Sequence, residues 1–213
     1  MIIQGNVGPL STTTSLGASL PAPVRLGNMG DMIASELHGR YYEAAYRQSV
    51  FSLSLATAAT ITAYIGATGG TPALATYNPV GSGKNLVVLQ AGVANLVTPT
   101  GAGTAPWGLW YGLTALPTGQ NTVPTNNSTL TTSGSIALGW VNAVTTSSTA
   151  LTRVYPLAFY YWATAAGAFG MPSFVDIAGS VIIPPGGMVA LGCGTALTTA
   201  SWYASLIWEE VPI

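Results

Sequence analysis

Short apolar segments, each closed off by glycine, proline or asparagine, predict a mainly β fold for this 213-residue chain. Several of them alternate apolar and polar residues, the period of a half-buried strand. No sustained helical period follows residue 50, so the pattern favours a sandwich or barrel over an alternating β/α fold. The length suits one sizeable domain, or one domain with an arm.

Residues 1–28 differ from the rest. The stretch STTTSLGASLPAPVRLGN is poor in large apolar side chains and holds Pro21 and Pro23. It reads as an extended arm, laid over a neighbouring subunit or left out of the core, which places the β-sandwich domain at 29–213. Residues 25–47 hold Arg25, Asp31, Glu36, Arg40, Glu43 and Arg47, six of the eleven charged residues in the chain. Met29, Met32, Ile33 and Leu37 follow helical spacing, and Asp31 suits the positive end of a helix. The prediction is one short helix over about 30–38 followed by a change to strand, with a continuous helix to about residue 48 as the competing reading. Glu36 and Arg40, like Glu43 and Arg47, stand four residues apart and can pair on a helix surface.

Strands are expected over 50–55 (VFSLSL), 60–65 (TITAYI), 85–93 (NLVVLQAGV), 107–116 (WGLWYGLTAL), 135–144, 151–162, 173–183, 188–193 and 201–211, with a polar loop over 118–134. The apolar run 154–172 has the length of a membrane span. Its Pro156, its glycines and its aromatic cluster Phe159-Tyr160-Tyr161-Trp162 fit a buried strand and loop better.

Charged residues make up 5% of the chain, with net charge −1; ordinary soluble domains carry about 25%. Such a surface must be wetted by hydroxyls and amides or covered by partners, which predicts an oligomer. Five basic residues cannot line a phosphate-binding groove, so nucleic acid is not an expected partner, and a basic amphipathic membrane surface fails likewise. Cys193 is the single cysteine, so no intrachain disulfide forms. The first residues lack a basic stretch followed by an apolar block, which predicts synthesis and assembly in the cytoplasm.

Catalytic and ligand constellations fail on missing residues. Gly81-Ser82-Gly83-Lys84-Asn85 has Asn78 where a phosphate loop needs glycine, Asn85 where it needs Ser or Thr, and a strand where it needs a helix. His38, the only histidine, has no serine in a nucleophile-elbow pattern. A dyad with Cys193 is open to sequence, but Leu191-Gly192-Cys193-Gly194 reads as an inert strand end. One His and one Cys do not make a zinc site. Glu209 and Glu210 are adjacent, so in a strand they point to opposite faces and read as an ion-pairing or solvating group. The expectation is a protein that is not an enzyme and uses no cofactor or metal. The aromatic residues Trp107, Trp110, Tyr111, Trp202, Tyr203 and Trp208 suit a core or subunit interface, with sugar platforms as the alternative.

Four stretches, Arg25–Arg47 (RLGNMGDMIASELHGRYYEAAYR), Asn78–Gln90 (NPVGSGKNLVVLQ), Val181–Ala196 (VIIPPGGMVALGCGTA) and Ser201–Ile213 (SWYASLIWEEVPI), resemble virion structural proteins of tailed bacteriophages. They cover about a third of the chain. The resemblance implies a jelly-roll-like β-sandwich, a homotrimer on the particle surface, in the capsid decoration (cement) class that clamps neighbouring major capsid proteins. Its expected partners are itself and other virion proteins, and its place is the virion. Arg25, Glu36, Arg40, Glu43 and Arg47 are the candidate interface residues, setting register at an otherwise neutral contact. The competing expectations are a tail or fibre component with a receptor- or glycan-binding sandwich and a major shell protein.

Overall fold

The computed structural model describes residues 5–6, 24–25, 39–56, 73–97, 103–111, 121–132, 134–141, 153–162, 173–191 and 201–213. The chain divides into two units, Met1–Glu43 and Ala44–Ile213. In the first, β1 (Gly5–Asn6) and β2 (Val24–Arg25) pair in parallel, Gly5 opposite Val24. The expected arm boundary at residue 28, the helix over 30–38 and the strand over 60–65 lie outside the described residues, as do His38 and Cys193.

The described helix is α1 (Tyr42–Tyr46), which corrects the expected change to strand directly after residue 38. Glu43 sits in its first turn, at the positive end of the helix dipole, and Ala44 and Ala45 are strong helix formers. Gln48 ends it in the left-handed region at φ 61°. Ser49 closes the end: its N–H donates to the Ala44 carbonyl at 3.1 Å and its hydroxyl to the same oxygen at 2.8 Å.

Strands follow: β3 (Val50–Ser54), β4 (Leu74–Tyr77), β5 (Lys84–Val97), β6 (Gly103–Tyr111), β7 (Asn121–Thr122), β8 (Thr125–Asn126), β9 (Leu138–Val141), β10 (Arg153–Trp162), β11 (Ser173–Ile183), β12 (Gly187–Leu191) and β13 (Ser201–Pro212). They form a six-stranded sheet, β10-β6-β12-β4-β9-β7, and a five-stranded sheet, β11-β5-β13-β3-β8. Count β3, β4, β5, β6, β10, β11, β12 and β13 as first to eighth. One sheet then runs sixth-third-eighth-first and the other fifth-fourth-seventh-second. That is the double Greek key of a jelly roll, so the expected sandwich is present with its jelly-roll order.

The core lies between the sheets. Phe51, Leu53, Trp202, Leu206 and Trp208 from the five-stranded sheet meet Leu74, Trp107, Val189 and Leu191 from the six-stranded one. Each large apolar side chain taken from water contributes roughly 1.5–3 kcal/mol. β13 shows how sequence sets this face: Trp202, Ala204, Leu206 and Trp208 alternate inward without interruption. In β5 the phase flips. Leu86 and Val88 point inward, then Ala91 and Val93 do. The flip sits at Leu89, where β13 pairs Ile207 with Gln90 and Trp208 with Val88, leaving Leu89 as a bulge. A second irregularity, between Tyr155 and Tyr160 of β10, lies opposite Pro106 of β6 and contains Pro156. Neither proline has an N–H for the ladder.

β4 and β12 are buried on both faces. Ala75, Tyr77, Trp140, Met188 and Ala190 form a second cluster on the face away from the main core. With no polar side to alternate, β4 carries no period-2 signal, and the sequence gives no expectation of it. Asn78, fully buried, clamps the two sheets at one end. Its side-chain amide donates to the Lys84 carbonyl at 2.8 Å and the Ile183 carbonyl at 2.9 Å, and its backbone carbonyl accepts from Gly186 N–H at 2.7 Å.

Candidate functional site

The sequence-predicted contact residues fall in the first unit and the start of the second. Arg25 is in β2, and Glu36 lies outside the described residues. Arg40, Glu43 and Arg47 are exposed, and the Arg40 guanidinium stands 5.8 Å from the centroid of the Tyr41 ring, a cation–π distance. Among the described residues no three His, Cys, Asp or Glu side chains gather as a metal site would need.

The structure divides the aromatic candidates. Trp107, Trp202 and Trp208 are core residues with 0% exposure, because each takes an inward position on its strand. Tyr111 and Tyr203 face solvent, 58% and 40% exposed. They mark two different surfaces.

The first surface is the end of the sandwich clamped by Asn78. The turn Pro184–Gly186 carries the chain from β11 in one sheet to β12 in the other. Val80 is 80% exposed beside it. A Cβ placed on Gly186 would lie 3.4 Å from the Val80 side chain and 3.9 Å from the Tyr111 ring, so all three meet there. Pro184 is exposed, whereas Ile182, 53% exposed between inward-facing Val181 and Ile183, points out on the outer face of the five-stranded sheet. Lys84, the charge nearest in sequence, has its ammonium 3.0 Å from the Glu210 carboxylate. The result is an exposed apolar patch with its nearby cation already paired.

The second surface is the outer face of the five-stranded sheet. Strand register sets its side chains in cross-strand rows. One row is Phe174 on β11, Gly92 on β5, Ser205 on β13 and Ser54 on β3. The next is Asp176, Gln90, Ile207, Ser52 and, on β8, Thr125. Tyr203 stands two residues before Ser205, so it points out on the same side, paired with Ala94. Phe174, Tyr203 and Ser54 surround a shallow, open depression of about 290 Å³ on the sheet. Its floor is Gly92, where a Cβ would lie 2.8 Å from Phe174 Cδ2 and 2.8 Å from Ser205 Oγ. The sequence offered Tyr203 but not Phe174, Gly92, Ser205 or Ser54, because only the register brings them together.

Glu210 answers the expectation for the adjacent acids. Glu209 and Glu210 do lie on opposite faces, but Glu210 is not a solvating group: its side chain is 0% exposed. It pairs with Lys84 Nζ at 3.0 Å and accepts from Ser135 Oγ at 2.7 Å and Ile136 N–H at 2.9 Å. This tethers the segment entering β9, in one sheet, to β13 in the other. Glu209, half-buried, has its carboxylate 3.3 Å from Ser49 Oγ, sharing with the Ala44 carbonyl the one proton of that hydroxyl. No family model, no curated protein and no solved structure matches the chain.

Proposed function

We propose that this protein is a structural subunit of a virus particle: a homotrimeric capsid decoration protein that clamps neighbouring major capsid subunits and is assembled in the host cytoplasm. The observation that carries the assembly half is the exposed apolar pair Val80 and Tyr111, which meet at Gly186, on a chain with 5% charged residues. Exposed apolar surface rimmed by uncharged groups marks a contact site. A jelly-roll sandwich is a rigid piece used in viral shells and in lectins alike, so the fold agrees with the reading without assigning it. The virion half rests on the resemblance of the four sequence stretches. In this reading several modest contacts per trimer sum through multivalency, and Arg25, Glu36, Arg40, Glu43 and Arg47 set the register.

Sedimentation of the purified chain tests the assembly half. The expected result is a trimer, with Val80→Asp and Tyr111→Asp weakening association by about tenfold or more while circular dichroism stays unchanged. A wild-type monomer at micromolar concentration counts against the reading. Copy number in purified particles tests the virion half. On the order of hundreds of copies, a multiple of the shell symmetry, is expected of a decoration protein; a handful of copies points to the tail. Arg47→Glu is expected to lower that occupancy.

A further inference from the structure

We infer that the depression on the outer face of the five-stranded sheet binds a neutral saccharide, with Phe174 and Tyr203 as the platforms for the sugar ring. Both rings stand on the same face of the sheet, 58% and 40% exposed, at the edges of one shallow depression of about 290 Å³. That volume lies at the small end of ligand sites and fits a ring or two, not a long chain. Aromatic faces attract the weakly positive C–H faces of a pyranose as they attract other positively polarised edges.

Polar groups are placed to take the hydroxyls. Ser54 and Ser205 flank the floor, and a serine hydroxyl both donates and accepts, as a sugar hydroxyl does. The neighbouring row brings Gln90 alongside, one residue pair further along the strands. An amide next to an aromatic platform both donates and accepts, as a saccharide's hydroxyls require. Among the described residues no Lys, Arg, His, Asp or Glu lines the depression, so none of them would compensate a phosphate or a carboxylate, which favours a neutral ligand. The depression also depends on one residue. The Phe174 ring and the Ser205 hydroxyl lie close over Gly92, so any side chain there would displace the platform ring. This face is a different surface from the end patch used for assembly, so binding and assembly are separable.

Saturation-transfer NMR with methyl α-glucopyranoside, methyl β-galactopyranoside and N-acetylglucosamine tests the site on the full chain. At least one sugar is expected to show transfer at millimolar concentration. Tyr203→Ala and Phe174→Ala should each weaken it by about tenfold. Both positions are exposed, so the thermal melt should hold; Ser54→Lys, at another exposed position, fills the depression without touching the core and should abolish transfer. Absence of transfer to all three sugars overturns the proposal, and so does transfer that none of the variants changes. A change in sedimentation of Phe174→Ala or Tyr203→Ala also overturns it, since this face would then be a contact between copies.

Discussion

Glu210 is a carboxylate held where a hydrophobic side chain would be expected, at the inward end of the Trp202–Ala204–Leu206–Trp208 alternation. A buried charge is tolerated only when paired and hydrogen-bonded, and Lys84, Ser135 and Ile136 supply this. Glu210→Ala removes the acceptor of Ile136 N–H and frees the segment entering β9, at a cost of about 2–4 kcal/mol. Glu210→Gln keeps an acceptor and loses the ion pair, and should cost about half as much. Urea unfolding checks both, and equal losses would show that the hydrogen bonds to Ser135 and Ile136 contribute nothing. A pair of glycines gives a second test at this scale. A Cβ at Gly139 would lie 2.6 Å from the Thr122 carbonyl and 2.8 Å from Leu53 Cδ2. Backbone and a core side chain cannot step aside, so Gly139→Ala should cost about 1–3 kcal/mol. At Gly92 the close atoms belong to the exposed Phe174 ring and the Ser205 hydroxyl, which can turn away. Gly92→Ala should therefore leave the urea midpoint nearly unchanged while altering the outer depression.

Strand β11 carries the most irregular backbone among the described elements. Between Asp176 and Val181 it bulges opposite β5, and there Ala178 and Gly179 take φ of 55° and 80°. The Asp176 carboxylate accepts from Ala178 N–H at 3.2 Å and the Ser180 hydroxyl donates to the Ile177 carbonyl at 2.9 Å, holding the loop of the bulge. An alanine in the left-handed region costs roughly 1–2 kcal/mol; Ala178 is exposed, so glycine there leaves no cavity. Ala178→Gly should raise stability by about 0.5–1 kcal/mol once the added chain entropy is subtracted. Gly179→Ala should lower it, since its Cβ would also press to 3.0 Å from Val87. The span of β11 was legible from 173–183 because β-branched and aromatic residues run between turn formers. Its bulge was not, since nothing local distinguishes Ala178 from an ordinary strand residue. The bulge in β5 leaves a readable trace, the shift of apolar phase from Leu86 and Val88 to Ala91 and Val93. The burial of Glu210 was likewise readable from its even spacing after Trp208. The outer depression was not, because it exists only once β11, β5, β13 and β3 are in register, and two bulges set that register.

The second unit places a tryptophan-rich core between two sheets, in a chain of which 5% of residues are charged. Strand period and punctuation made the sandwich legible in the sequence, whereas composition gave association only as an expectation, with no surface attached to it. The two candidate sources of the proposed contact are distinguishable by their physics. The apolar end patch around Val80 and Tyr111 acts through removal of surface from water, which is insensitive to ionic strength and strengthened by excluded salts such as sulfate. The charged stretch from Arg25 to Arg47 acts through Coulomb attraction, which a Debye length of about 3 Å at 1 M salt largely removes for exposed groups. If the end patch dominates, the dissociation constant of the oligomer should change by less than about threefold between 0.05 and 1 M sodium chloride and tighten in ammonium sulfate. Sedimentation across that series measures it. A steep weakening with sodium chloride would transfer the contact to Arg40, Glu43 and Arg47, and then Arg47→Glu, not Val80→Asp, would be the variant that releases the monomer.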